Sequence, residues 1–247
     1  FYSKLIAEIR TVDPDRMIWL EPAVQTSTGL PSFLSKPFAA RNLAYASHFY
    51  DPIIQLGMGY QGKIPAALGY ARMQAEATLL EMPLVVGEWG TFLDHRQAPE
   101  YIEDQASLQE ELMIPGALLW NYDPDPDSST TLEKDRFDPY NPDGSERTSV
   151  PHLDRPYPRL VAGTPTSFGF QIATRVFRLE WESSSQVASG KPSVVYLPAR
   201  HYPNGFKVES SDPAGSWSWS WDATKRTLEV QHDPSSPRHR LTISPKP

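Results

Sequence analysis

The sequence contains no cysteine. Disulfide scaffolds and cysteine-ligated metal sites are thereby excluded within these 247 residues. The same absence points to an intracellular setting, cytosolic or vacuolar. No apolar run approaches the roughly 20 residues that a membrane span needs. The opening FYSKLIAEIRTVDPD is amphipathic and lacks the apolar centre of a signal peptide. It reads as a helix entered midway, with no initiator Met, so the chain is expected to be a piece of a longer protein. No dense basic stripe is present, which argues against nucleic acid as a partner. No glycine-rich phosphate loop occurs. His95, His152, His201, His232 and His239 show no metal-binding spacing. Asp123, Asp125 and Asp127 supply the ligand type for calcium, but Pro124 and Pro126 break the loop and no Gly-plus-Glu pattern follows. No metal or cofactor is expected.

What is present can build a substantial core: 39% of residues are hydrophobic and 11% aromatic. The net charge of −7 is unevenly spread. Residues 1–163 hold 13 Lys+Arg against 23 Asp+Glu, and residues 164–247 hold 10 against 7. That shift predicts two domains, 1–163 and 164–247.

The first domain alternates helical and strand patterns. Leu5, Ile6 and Ile9 share a helical face, and the strand MIWLEP follows, ending at Glu21. NLAYASHFYDP is a second strand, tipped by His48 and Tyr50. A helix then carries Leu68, Ala71, Ala75, Leu79 and Met82 along one face. PLVVGEW is the third strand, with Glu88 at its tip. The next helix turns Ile102, Leu108 and Leu112 inward and its acids outward, and GALLWN is the fourth strand, tipped by Trp120. Apolar strands separated by helices imply a parallel sheet. All the polar and aromatic tips lie at the C-terminal ends, where a (β/α)8 barrel does its chemistry. Four βα units are half of such a barrel. After residue 163 seven short alternating segments separated by Pro, Gly, Ser and Asp predict an antiparallel β-sandwich. Within it SWSWSW places Trp217, Trp219 and Trp221 on one face, as sandwich core or as a ladder that docks sugar or lipid.

A glutamate at the end of a buried strand is ordinarily half of an ion pair or a loop cap. The neighbouring tips change that reading. A carboxylate beside an imidazole and a phenol, with an indole face next to them, suits a sugar ring: the indole stacks on its C–H face and the carboxylate attacks the anomeric carbon. Tyr50 is placed to hydrogen-bond Glu88 and aim it. Gly87 and Gly90 are expected to let the backbone pass close to the sugar.

With Glu88, the His48-Phe49-Tyr50 triplet and Trp120 at three successive tips, the chain resembles a clan A glycoside hydrolase of family 5. FYSKLIAEIRTVDPDRMIWLEP and RPYPRLVAGTPTSFGFQIATRVF resemble endoglycoceramidases and, more closely, their fungal relatives, which cleave β-glucose from sterols or ceramide. YLPARHYP and the H-x-L-x-I of HRLTIS add to the likeness. The resemblance implies the C-terminal half of the barrel, strands five to eight, then the sandwich. It implies a retaining mechanism with Glu88 as nucleophile and a second carboxyl about 5–5.5 Å away as acid and base. His48, Tyr50, Trp120 and Glu21 would contact substrate.

In the family the acid lies in an Asn-Glu-Pro motif at the end of strand four. This chain has no Asn-Glu-Pro. Glu21-Pro22 is the nearest substitute, on a strand that reads as the fifth, so Glu21 is either that acid or a cleft or structural residue. The N-terminal half of the barrel, as a separate or missing chain, is the implied partner. A steryl β-glucoside is the expected substrate, followed by glucosylceramide and oligosaccharyl-ceramides, and a non-catalytic glycolipid-binding module is the rival. Phe33, Leu34 and Phe38 in the loop after Glu21 are expected either to make the active-site mouth apolar enough for a steroid or acyl chain or to pack on neighbouring helices, and peripheral membrane contact is expected.

Overall fold

The computed structural model describes residues 1–56, 58–122, 137–141, 143–187 and 190–247. Asp123, Asp125 and Asp127 lie outside them. Among the described residues no group of three His, Asp or Glu is placed to hold a metal ion, and no helix is long and apolar enough to cross a membrane. The chain forms two compact units. One comprises Phe1–Gln109 and Ile114–Val150; the other comprises Glu110–Met113 and Pro151–Pro247.

The first unit is built on an all-parallel sheet of β1 (Ile18–Leu20), β2 (Leu43–Phe49), β3 (Leu84–Trp89) and β4 (Ala117–Leu119), in that spatial order. The helices are α1 (Tyr2–Val12), α2 (Pro52–Gln55), α3 (Lys63–Leu79) and α4 (Ala98–Glu111). Parallel neighbours need a crossover between them, and α3 and α4 supply it for β2–β3 and β3–β4. β2 is buried almost throughout, Leu43 to Ser47 and Phe49, as a central strand covered on both faces should be. α2 starts cleanly because the Asp51 carboxylate accepts from Ile53 N at 2.8 Å and Pro52 follows it.

The inward face of α3 differs from the expected one. Ala66, Gly69, Tyr70, Met73 and Ala77 are buried, while Leu68 and Leu79 are 69% and 52% exposed. The helix is drawn onto the sheet through its small residues. A Cβ on Gly69 would lie 2.2 Å from the Phe49 ring, which occupies that space instead. On α4 Ile102 and Leu108 are buried, but Glu110 is buried as well, against the expectation that the helix's acids face outward.

The second unit contains two four-stranded antiparallel sheets. One runs β10 (Ser218–Asp222), β11 (Thr227–Gln231), β8 (Ser193–Tyr196), β5 (Tyr157–Leu160). The other runs β6 (Thr164–Gln171), β7 (Val176–Glu182), β12 (Arg238–Pro245), β9 (Phe206–Ser210). Both sheets feed one core: Phe177, Leu179, Trp181, Leu241 and Ile243 from the second, Val195, Leu228 and Val230 from the first. Each such side chain contributes roughly 1.5–3 kcal/mol by leaving water. The strand absent from the sequence reading is β5. It pairs with β8, and the second compact unit takes in residues 110–113 and 151–163 besides the expected 164–247.

Two buried polar groups brace this unit. Glu110 accepts from Arg155 Nε at 2.7 Å, Arg155 Nη2 at 2.9 Å and the Phe170 amide at 2.9 Å. His239 donates from Nδ1 to Asp212 Oδ1 at 2.8 Å and stacks on Trp181. Trp217 packs against the core, whereas Trp219 and Trp221 stay 45% and 36% exposed. The tryptophan run is therefore only in part a core element.

Candidate active site

Four strand tips of the first unit carry the candidate residues: Glu21 just after β1, His48 and Tyr50 at the end of β2, Glu88 near the end of β3 and Trp120 just after β4. The structure links the first four through one another. Tyr50 Oη donates to Glu88 Oε2 at 2.9 Å. His48 Nδ1 lies 3.4 Å from the same Oε2, and His48 Nε2 lies 3.5 Å from Glu21 Oε1. The imidazole thus stands between two carboxylates, at contacts longer than ordinary N–H···O hydrogen bonds. Its side chain is 19% exposed, that of Glu88 32% and that of Glu21 60%.

A β-bulge sets Glu88 in this place. Ser47 pairs with Val86 and Phe49 with Trp89, so two residues of β2 match three of β3. The same shift recurs on the other side, where Val86 pairs with Ala117 and Trp89 with Leu119. Gly87 and Glu88 are the residues inside the shift. A bulge bends its strand and re-aims a side chain, here the carboxylate.

The glycines around Glu88 make room for neighbouring groups. A Cβ on Gly87 would lie 2.9 Å from His48 Cδ2 and 3.0 Å from its Nε2. A Cβ on Gly90 would lie 2.4 Å from the Trp120 carbonyl oxygen. Gly87 makes room for the imidazole and Gly90 for the tip of β4. Trp120 N also donates to the Trp89 carbonyl at 2.8 Å, and the Trp120–Asn121 peptide is cis. The Trp120 indole is 41% exposed.

Sequence reasoning missed the supports. The Tyr50 ring meets Phe137 edge-on at 6.5 Å, and Phe137 is itself held by Phe92 at 4.7 Å. Tyr50 N donates to the Ser27 carbonyl at 2.7 Å, which ties the turn Val24–Thr28 to the tip of β2. Tyr2 donates from its hydroxyl to the Glu21 carbonyl. Burial and the Glu21 charge push the Tyr2 phenol above its ordinary pKa, so it remains a donor. No local pattern announces these contacts, because each joins residues far apart in the chain. Of the loop residues expected at an apolar mouth or packed on helices, Phe33 is 80% exposed, while Leu34 and Phe38 are partly buried and Phe38 meets the Tyr2 ring edge-on.

A carboxylate held by a phenol, next to an imidazole at the end of a parallel sheet, is an arrangement that can serve nucleophilic chemistry. Known proteins are similar to this chain as follows. Residues 155–244 match the family model of the glycoside hydrolase family 5 C-terminal domain. Over 66 residues, 27% of this chain and 13% of that protein, the sequence is 38% identical to an endoglycoceramidase of Hydra vulgaris. The fold matches endoglycoceramidase II from Rhodococcus sp. in its ganglioside GM3 complex with a TM-score of 0.81, at 28% identity, over 100% of this chain and 53% of that one. Sterylglucosidase 1 of Cryptococcus neoformans matches with a TM-score of 0.75 at 14% identity, over 99% of this chain and 43% of that one. The chain thus spans about half the length of these solved relatives. In residues 155–244 it is similar to the glycoside hydrolase family 5 C-terminal domain, and in sequence and fold it is similar to endoglycoceramidases.

Proposed function

We propose that this chain is the nucleophile-bearing half of a retaining β-glycosidase that acts on lipid-linked sugars. In this reading the parallel sheet is the second half of a (β/α)8 barrel and the two antiparallel sheets are a β-sandwich. The carrying observation is the placement of Glu88 in a bulge at a strand tip, with the Tyr50 hydroxyl at 2.9 Å and His48 at 3.4 Å. Among the described residues β1 and β4 each have a single neighbour, and Trp19 and Leu118 beside those edges are 50% and 45% exposed. An N-terminal half that pairs with both edges would bury them.

Glu88 attacks the anomeric carbon, the glycosidic bond breaks, and its oxygen takes a proton from an acid supplied by the other half. Water, deprotonated by the same group, then attacks the glycosyl–Glu88 ester and regenerates the carboxylate. Tyr50 holds the reacting oxygen of Glu88 until attack. Trp120 offers its half-exposed indole to the sugar face. Glu21 steadies His48 from the side opposite Glu88. The substrate in this reading is a lipid-linked β-glycoside, a steryl glucoside or a glycosylceramide, and similarity to endoglycoceramidase II supports that class.

The test uses this chain assembled with the N-terminal half of its parent. A 2-deoxy-2-fluoroglycoside should inactivate the complex and, after proteolysis and mass spectrometry, mark Glu88 alone. A label on Glu21, or normal turnover by Glu88→Gln, sinks the assignment. Glycolipid binding with neither label nor hydrolysis establishes the rival, a binding module.

A further inference from the structure

We infer that the second unit has its own membrane-docking edge, formed by Trp219, Trp221 and Phe206 and ringed by basic side chains. β10 is the terminal strand of its sheet, and β9, which carries Phe206, is the terminal strand of the other. Trp219 pairs across to Val230 and Trp221 to Leu228, both core residues, so the two indoles project from the core face of an edge strand. They close on Phe206 at ring distances of 5.9 and 5.0 Å. They nonetheless remain 45% and 36% exposed. Sandwich edges are ordinarily blunted by charge or proline. This one ends in aromatic rings.

The ring geometry distinguishes between occupants. A sugar platform presents a flat open indole face. Here the indoles lean on Phe206 at 50° and 74°, which makes a wedge. A wedge of tryptophan with one end apolar and an N–H at the other suits the boundary between acyl chains and headgroups.

Charge selects the kind of surface. Lys207 follows Phe206 directly, and the Lys246 side chain lies 3.6 Å from where a Gly205 Cβ would stand. Both are exposed and make no ion pair among the described residues. Exposed Lys225 and Arg226 close the turn after β10. The nearby acids are Asp222, which is engaged by Lys225 at 3.4 Å, Glu209, two residues beyond Lys207, and exposed Glu229, which pairs across to Ser220 and so lies on the face opposite the two indoles. Residues 151–247 hold 12 Lys+Arg against 8 Asp+Glu, in a chain whose net charge is −7. The rest of the sequence is therefore strongly acidic and repels an anionic membrane, while this edge is attracted to one. The occupant is a bilayer containing anionic lipid.

The test needs no glycosidase activity, so its failure is distinct from failure of the catalytic reading. The chain is sedimented with phosphatidylcholine vesicles and with vesicles that also contain phosphatidylserine. Binding should be strong only with phosphatidylserine and should fall as salt is raised. Trp219→Ala with Trp221→Ala should weaken it by roughly tenfold or more. Lys207→Ala with Lys246→Ala should cost roughly 10- to 30-fold on the anionic vesicles alone. The lysine pair is exposed, so this arm stands even if the tryptophan variant unfolds. Absence of binding, binding indifferent to both double variants, or loss of self-association in the tryptophan variant without any vesicle effect would each overturn the inference. The last result would mark the edge as a contact between copies.

Discussion

Gly87 and His48 occupy space that only one of them can fill: a Cβ at position 87 would sit 2.9 Å from the imidazole and 3.1 Å from the Ala46 carbonyl oxygen. The bulge that aims Glu88 therefore depends on a residue with no side chain, and the glycine makes room for the histidine. In the assembled enzyme Gly87→Ala should push His48 away from Glu88 and Glu21. Turnover should fall at least roughly tenfold, in line with losses from small misplacements in active sites. Circular dichroism should be unchanged, since the first unit's buried aromatics are untouched. Normal turnover in Gly87→Ala would show that the position of His48 is immaterial to the reaction.

Tyr50→Phe removes the phenol that aims Glu88. The ring keeps its edge contact with Phe137, and the 2.9 Å bond to Glu88 is lost. Hydrogen bonds to charged groups contribute about 1.5–3 kcal/mol, so kcat should drop roughly 10- to 150-fold. KM should change little, because the phenol acts on Glu88 rather than on the substrate. A rise in KM at constant kcat would instead place Tyr50 among the groups that bind sugar in the ground state.

The parallel sheet was legible because each of its strands is an apolar run that stops at a polar or aromatic residue. Those stops, Glu21, His48, Tyr50 and Glu88, are what the structure gathers into contact. The bulge was not legible, since a register shift belongs to a pair of strands and not to either sequence. The face of α3 was misread because hydrophobic patterning weighs Leu68 and Leu79 above Gly69, whereas close approach favours the smallest residue. β5 was missed because Tyr157-Pro158-Arg159-Leu160 contains a proline and has no buried face; it is a strand by virtue of pairing with β8. Glu110 was misread because an acid on a helix is ordinarily solvated, and its partners stand 45 and 60 residues away.

Glu110 offers a direct test of the second unit's framework. Its carboxylate satisfies two guanidinium donors and one backbone amide, all buried. Removing the Glu110 carboxylate takes a bidentate counter-ion from the Arg155 guanidinium in a site with little access to water. Glu110→Ala should cost roughly 3–5 kcal/mol in urea denaturation. Glu110→Gln, which still accepts a hydrogen bond, should cost less. Arg155→Met combined with Glu110→Leu should recover part of the loss, because it removes both charges. Equal stability of Glu110→Ala and the parent would mean that solvent reaches this pair.

The same unit should lose stability as the solution turns mildly acidic. Burial is the main cause that lowers the His201 pKa, even though its Nε2 meets the Asp154 carbonyl at 2.9 Å. Burial also lowers that of His232, assisted by the nearby charge of His239. A histidine depressed in the folded state is neutral in both folded and unfolded chains above its ordinary value of 6.5. Below that value the unfolded chain takes up the proton first, so stability is full above about pH 6.5 and falls as pH drops towards the depressed folded values. The melting temperature should decline by roughly 2–5 °C between neutral pH and pH about 5.5. His201→Gln with His232→Gln should flatten that slope, whatever it does to the melting temperature at pH above 7. The exposed carboxylates of Asp222 and Asp233 also have lowered pKa values and act only below the ordinary carboxylate range, so they leave this window clear. A melting temperature constant from neutral pH to 5.5, or a slope unchanged in the double variant, would show that neither histidine is held neutral by the fold.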